Sequence, residues 1–415
     1  MFRWLNLTFA IMLATLRYSA AEEELKFVFQ YNTQAERTPL FTQDPRFNIT
    51  GNDFKEDPNE LTLVGLRNAF DQGVSFREVY LEYYNGFLSL HYDPTEFFIR
   101  AYPDHPSIMS AYAFLLGVDP EEIEGIGLIT DTNSKKILKD AHVDDARVAL
   151  MLDKPKGWSN TGYIHAGNTD DFFFKDIVAS YPGLKNDFDK NIQDASQEFR
   201  KEEGNKLFYK ISSLTGIPFS DLTFQNLAKY LDDYMSSFSN GKEVTPFEFD
   251  LDTLSMVSTY YKYLIKNGLL RDPALNRVIA HPFLFSLLRE IQFKSQDKSE
   301  LEKWVGPCVS SKVSLGFGNR LTYLAVIHAL QIDDDAVYSP GWGDQLTFEL
   351  FQEDEEWFVR ILNNNDIVPL NSENGSIPLN DFKDFICSKL YYGNMEEVEA
   401  GREDYHKYVD VDAGK

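Results

Sequence analysis

The chain has 415 residues, 43% hydrophobic and 14% aromatic, enough to bury a sizeable core in one large or two interleaved domains. Against 40 lysines and arginines stand 65 acidic residues, a formal charge of -25. Such a surface repels phosphate backbones and anionic lipid, which argues against nucleic-acid and membrane partners and leaves cationic small molecules or basic protein surfaces.

Arg3 precedes an apolar stretch from Trp4 to Leu16, and Ser19-Ala20-Ala21 offers small residues for cleavage. Residues 1–21 therefore read as a secretory signal peptide, too short to span a bilayer, and no later segment is apolar for long enough to do so. A secreted protein is expected. Asn48-Ile49-Thr50 and Asn374-Gly375-Ser376 are glycosylation sequons consistent with that route. Cys308 and Cys387 fit either one disulfide or two buried thiols.

The first expected strand is Leu25–Gln30, running into a polar loop. Apolar residues then recur at helical spacing from Thr62, an N-cap, to Tyr83. A second strand, Glu96–Arg100, leads through Pro103 and Pro106 to a helix capped by Ser107 and closed by Gly117. This rhythm is that of an α/β protein with a mostly parallel sheet. A loop-rich stretch follows, then helical patterns at 195–214, 222–237 and 251–266, read as a mainly helical cap. The sheet rhythm returns with a helix over 276–294 containing Pro282, a strand over 312–317 and a helix over 321–330. Alternation over 345–350 and 356–361 predicts an antiparallel pair near an edge. The expected division is signal peptide 1–21, first part of the core 22–120, cap insertion 121–240, second part of the core 241–395 and acidic tail 396–415.

Four landmarks in order carry a resemblance. The first strand is followed by Thr33-Gln34-Ala35-Glu36-Arg37-Thr38-Pro39, and the second opens Arg100-Ala101-Tyr102-Pro103-Asp104-His105-Pro106-Ser107-Ile108-Met109-Ser110-Ala111. Asn319-Arg320 follows the third, and the Phe348 and Trp357–Arg360 segments close the chain's sheet. In this frame the chain resembles the histidine acid phosphatases, which implies a histidine phosphatase-like core with a cap. In that family a histidine attacks phosphorus, arginines hold the phosphoryl oxygens and a carboxylic acid protonates the leaving alkoxide. The resemblance places the nucleophile at Gln34, the acid at Arg320, two lost clamp arginines at Thr33 and Pro106, and a lost histidine at Asn319. Of these six positions only Arg37 keeps the family's residue, and it serves either as a ligand-binding group or as a buried ion-pair partner. A non-enzymatic protein is expected.

No other catalytic set replaces the lost one. The histidines show no metal-ligand spacing, Gly316-Phe317-Gly318 is too short to cradle a phosphate or dinucleotide, and no nucleophile elbow is present. Neither metal nor cofactor is expected. The altered pattern is similar to that of the acid phosphatase-like salivary proteins of blood-feeding fleas. That likeness implies a scavenger of host biogenic amines such as serotonin, and of leukotrienes, opposing vasoconstriction, platelet activation and inflammation. An amine needs a carboxylate or aromatic face, for which Glu36 and Asp104, Tyr31, Tyr102 and Phe317, and Trp158, Phe172 and Phe174 of the cap are candidates, each aromatic being alternatively a core residue. Gln34 and Asn319 lie beside them, and Arg37 and Arg320 suit an acidic head group. Residual acid phosphatase activity and protein-binding inhibition of haemostasis are the alternative functions.

Overall fold

The computed structural model describes residues 23–40, 54, 56–90, 92–119, 164–166, 172–174, 177–222, 224–241, 251–295, 311–332, 341–369, 375–391 and 393. The expected signal peptide, the sequon asparagines Asn48 and Asn374, Cys308, Trp158 and the acidic tail lie outside them.

The protein is α/β. Strands β1 (Glu24–Thr33), β2 (Phe97–Ala101), β3 (Ile164–Ala166), β4 (Val313–Gly318), β5 (Gln345–Glu353), β6 (Glu356–Asn363) and β7 (Asp366–Ile367) run in the spatial order β3-β2-β4-β1-β5-β6-β7. A further strand, β8 (Ser376–Pro378), pairs with β6. β1, β2, β3 and β4 are mutually parallel, whereas β5 and β6 form the antiparallel hairpin expected from their alternation. The left-handed Asp354 closes that hairpin at φ 53°.

Helices cover both faces. On one lie α1 (Leu63–Arg77) and α2 (His105–Val118), packed on Val28, Ile99, Leu315 and Phe317. α1 starts where expected because the Thr62 hydroxyl accepts the Gly65 amide at 3.2 Å. α2 starts earlier than expected. Asp104, not Ser107, is its N-cap, accepting the Ser107 amide at 2.9 Å, and Pro106 sits harmlessly in the first turn, whose amides need no intrahelical partner.

A cap of helices α3 (Pro182–Phe199), α4 (Asn205–Thr215), α5 (Phe224–Ser239) and α6 (Leu251–Leu264) follows. The other face of the sheet carries α7 (Pro273–Ser295), α8 (Arg320–Ala329) and α9 (Leu379–Cys387), burying Phe27, Phe29, Tyr31, Phe283, Phe348 and Phe382. Cys387 ends α9, half-buried against that core.

Two elements cross the expected domain boundaries. β3 lies within the segment assigned to the cap yet extends the core sheet, pairing with β2 from Ile99–Ile164 to Ala101–Ala166. α6 lies beyond residue 240 yet belongs with the cap, since its Tyr260 and Leu264 share a cluster with Phe199 of α3 and Leu207, Phe208 and Ile211 of α4.

Among the described residues no helix is long and apolar enough to cross a membrane.

Candidate functional site

The site lies at the C-terminal ends of β1, β2 and β4, where a parallel sheet leaves its loops free to build a crevice. Strand alternation decides which side chains reach it. Tyr31 and Thr33 of β1 stand opposite Gly316 and Gly318 of β4, on the face covered by α7 and α8. The two glycines are required there because the Tyr31 ring crosses the strand. A Cβ on Gly316 would come within 2.9 Å of the Phe173 ring and 3.2 Å of Tyr31, and one on Gly318 would overlap the Tyr31 hydroxyl.

The loop after β1 is pinned on every side. Its Gln34 amide donates to Gly318 at 3.0 Å, its Gln34 carbonyl accepts from Gly343 at 3.1 Å, and its Ala35 amide donates to the Ser110 hydroxyl at 3.1 Å. The edge before α1 completes the hold: the Thr62 amide reaches the Glu36 carbonyl at 3.0 Å and the Thr38 amide reaches that of Glu60 at 2.8 Å. This rigid frame presents Gln34, half-buried, at the end of β1.

Both arginines of the site are already paired. Arg37, 5% exposed, makes an ion pair at 2.7 Å with Asp232 of α5, donates to the Thr38 carbonyl at 2.8 Å, and lies over the Trp342 ring at 4.8 Å. The Asp232 carboxylate also accepts the Leu40 amide at 2.6 Å. Arg320, in the first turn of α8, donates to Asp344 at 2.8 Å and to the Tyr261 hydroxyl at 3.3 Å. Burial opposes the Arg320 charge, but Tyr261 and Asp344 outweigh it and hold its pKa above the ordinary value. Asp344 is fixed in turn by Thr33, whose hydroxyl accepts the Asp344 amide and whose amide reaches the Asp344 carbonyl, each at 2.8 Å.

An aromatic group stands on the other side of Gly318. The Tyr31 hydroxyl donates to the Asn319 carbonyl at 2.9 Å, and burial drives its pKa well up, so it stays neutral. Asp104 is close enough to add to that rise. Tyr102, half-buried, meets Phe174 edge-on at 6.2 Å, and Phe174 meets Phe173 at 4.6 Å. Asn319 spends its side-chain oxygen capping α8 through the Thr322 amide at 3.0 Å.

Contacts thus connect Tyr31, Thr33, Gln34, Arg37, Tyr102, Asp104, Phe174, Asn319 and Arg320 into one neighbourhood. Pro106 is buried within the first turn of α2, two residues after Asp104. Phe172 belongs to the short turn Phe172–Phe174. Two candidates point elsewhere. Phe317 faces away from Tyr31, fully buried and edge-on to Phe114 of α2 at 5.4 Å, so it is a core residue. Glu36 turns toward α1, where Asn68 donates to it at 2.7 Å; burial raises its pKa, against the lowering by its hydrogen bonds and Arg67, and its Oε2 has no hydrogen-bond partner among the described residues.

Trp342, Asp344, Asp232 and Tyr261 were not among the residues expected at the site. A signal existed for two of them: Gly341-Trp342-Gly343-Asp344 is a glycine-rich turn directly before a strand. Among the described residues, no group of three or more His, Cys, Asp or Glu could hold a metal ion.

A helix-flanked mixed sheet whose core strands β1–β4 are parallel, with this loop at the end of its first strand, is a phosphatase-like α/β fold. The model of the histidine phosphatase superfamily, branch 2, matches residues 14–364, and the chain belongs to that superfamily. Among solved structures it is similar to the apo phytase of Hafnia alvei at 13% identity, with 90% of this chain and 98% of that one covered and a TM-score of 0.58. It is likewise similar to the phytase of Citrobacter braakii at 13% identity, with 89% and 98% covered and a TM-score of 0.60. For the phytase of Klebsiella sp. ASR1 the figures are 12% identity, 89% and 96% covered and 0.60. These likenesses are of fold. No curated protein matches the chain.

Proposed function

We propose that this is a secreted, non-enzymatic member of the superfamily that binds small mediators, biogenic amines such as serotonin foremost, in the crevice at the ends of β1, β2 and β4. The observation that carries the reading is the internal neutralisation of both site arginines, Arg37 by Asp232 and Arg320 by Asp344. A phosphoryl group needs unpaired cations, and each of these already has a carboxylate at 2.8 Å or less. Gln34 at the nucleophile position has an amide nitrogen that cannot carry a phosphoryl group at a useful rate, and Arg320 has no proton to give near neutral pH.

An aromatic amine suits what is left. Asp104 keeps one carboxylate oxygen beyond the one it uses as a cap, and Tyr102 and Phe174 offer ring faces and edges beside it. Sub-micromolar affinity corresponds to about -9 kcal/mol, roughly -0.7 kcal/mol for each of about 13 heavy atoms in serotonin, inside the ceiling near -1.5. The likeness to the salivary proteins of blood-feeding fleas supports the same role, opposing vasoconstriction and platelet activation. Leukotrienes, with acidic heads, fit this site less well because their carboxylate meets paired arginines.

The enzymatic alternative is tested by a chromogenic phosphomonoester assay from acid to neutral pH. Turnover indistinguishable from buffer is expected. Hydrolysis that saturates with substrate and persists on repurification would return the protein to the phosphatases.

A further inference from the structure

We propose that the Asp232 carboxylate is a built-in occupant of an oxyanion pocket, and that it sets the selectivity of the crevice by keeping anionic ligands off Arg37. The donors around it are those an oxyanion would need. Arg37 Nη2 donates to Oδ1 at 2.7 Å, Nη1 reaches Oδ2 at 3.4 Å, and the Leu40 amide donates to Oδ2 at 2.6 Å. A guanidinium fork joined by a backbone amide is the recognition geometry of phosphate, sulfate and carboxylate alike.

A second observation shows that Asp232 fills this pocket incompletely. Arg37 is 95% buried, yet its Nε has no acceptor among the described residues. A buried donor left unmade is costly, and a tetrahedral oxyanion carries more acceptor oxygens than a carboxylate with which to meet it. The pocket therefore matches a larger oxyanion better than the side chain that occupies it. The Trp342 ring, 4.8 Å from the guanidinium, closes one side and keeps the fork in place.

The origin of the occupant fits this role. Asp232 comes from α5 in the cap, 195 residues from Arg37 along the chain, so the pair also fastens the cap to the loop after β1. Removing the Asp232 carboxylate would expose an unpaired guanidinium whose remaining hydrogen bond goes to the Thr38 carbonyl. The inference rests on the proposed function only in calling this exclusion selective for amines. Its own test uses no amine, so failure here and failure of amine binding are distinguishable.

The test is calorimetric titration of the full chain with inorganic sulfate at constant ionic strength, for wild type, Asp232→Ala and Asp232→Asn. The Ala variant is expected to bind sulfate at least tenfold more tightly than wild type. The Asn variant, close to Asp in shape and still able to accept from Arg37, should bind about threefold more tightly. Adding Arg37→Gln to either should abolish the gain. The Asn variant carries the comparison if the Ala variant does not fold. Sulfate affinity equal in wild type and the folded variants, measurable or not, overturns the proposal, as does a gain that survives Arg37→Gln.

Discussion

Alanine at Gly73 is expected to destabilise the protein by about 3 kcal/mol or more, although Gly→Ala in a helix interior ordinarily stabilises by about 1 kcal/mol. The reversal comes from how α1 and α2 cross. Gly73 and Gly117 face each other, and a Cβ on Gly73 would overlap the Phe114 carbonyl oxygen, while one on Gly117 would overlap that of Phe70. Both obstacles are backbone, so no side chain can swing aside. Relief requires the helices to separate, which would loosen Phe70, Phe76 and Phe114 from the cores beneath them. Urea denaturation of the variant checks this. A midpoint equal to or above that of wild type would mean that the helices do not approach as closely as described.

Removing the carboxylate of Asp344 is expected to cost about 3 kcal/mol, the lower end for a buried ion pair because its two side chains are 15% and 14% exposed. Asp344→Ala would leave the Arg320 cation without this carboxylate, still donating to the Tyr261 hydroxyl. The backbone bonds of Asp344 to Thr33 would remain, so the loss measures the charge pair rather than the loop. The double variant Arg320→Met, Asp344→Leu should recover most of the stability, since replacing both charges leaves neither unpaired. A single variant within about 0.5 kcal/mol of wild type would show that Arg320 does not depend on Asp344.

The sheet and its flanking helices were legible because their signals are local. Thr62 announced α1, and the alternations at Gln345 and Glu356 announced the hairpin. β3 was not, since three residues are too few to show a period. The start of α2 was misplaced because Pro103 and Pro106 read as loop, although proline is at home in a first helical turn. At the site, the loop Thr33–Pro39 and the pair Asn319-Arg320 were visible as a pattern, but their partners were not. Asp232 sits on a cap helix 195 residues from Arg37, and nothing near it in sequence mentions Arg37. Phe317, between Gly316 and Gly318, was counted among the aromatic candidates of the core loops near the site. Strand alternation, applied strictly, places it on the opposite face from both.

Isothermal titration of the protein with serotonin, run beside Asp104→Asn, tests amine binding most directly. Asparagine caps a helix as well as aspartate does, so this variant removes the charge and leaves α2 intact. Saturable, sub-micromolar binding near one equivalent is expected for wild type and at least tenfold weaker binding for the variant. Absence of heat with wild-type protein that is folded would contradict amine binding, and equal affinity in the two would remove Asp104 as the counter-ion.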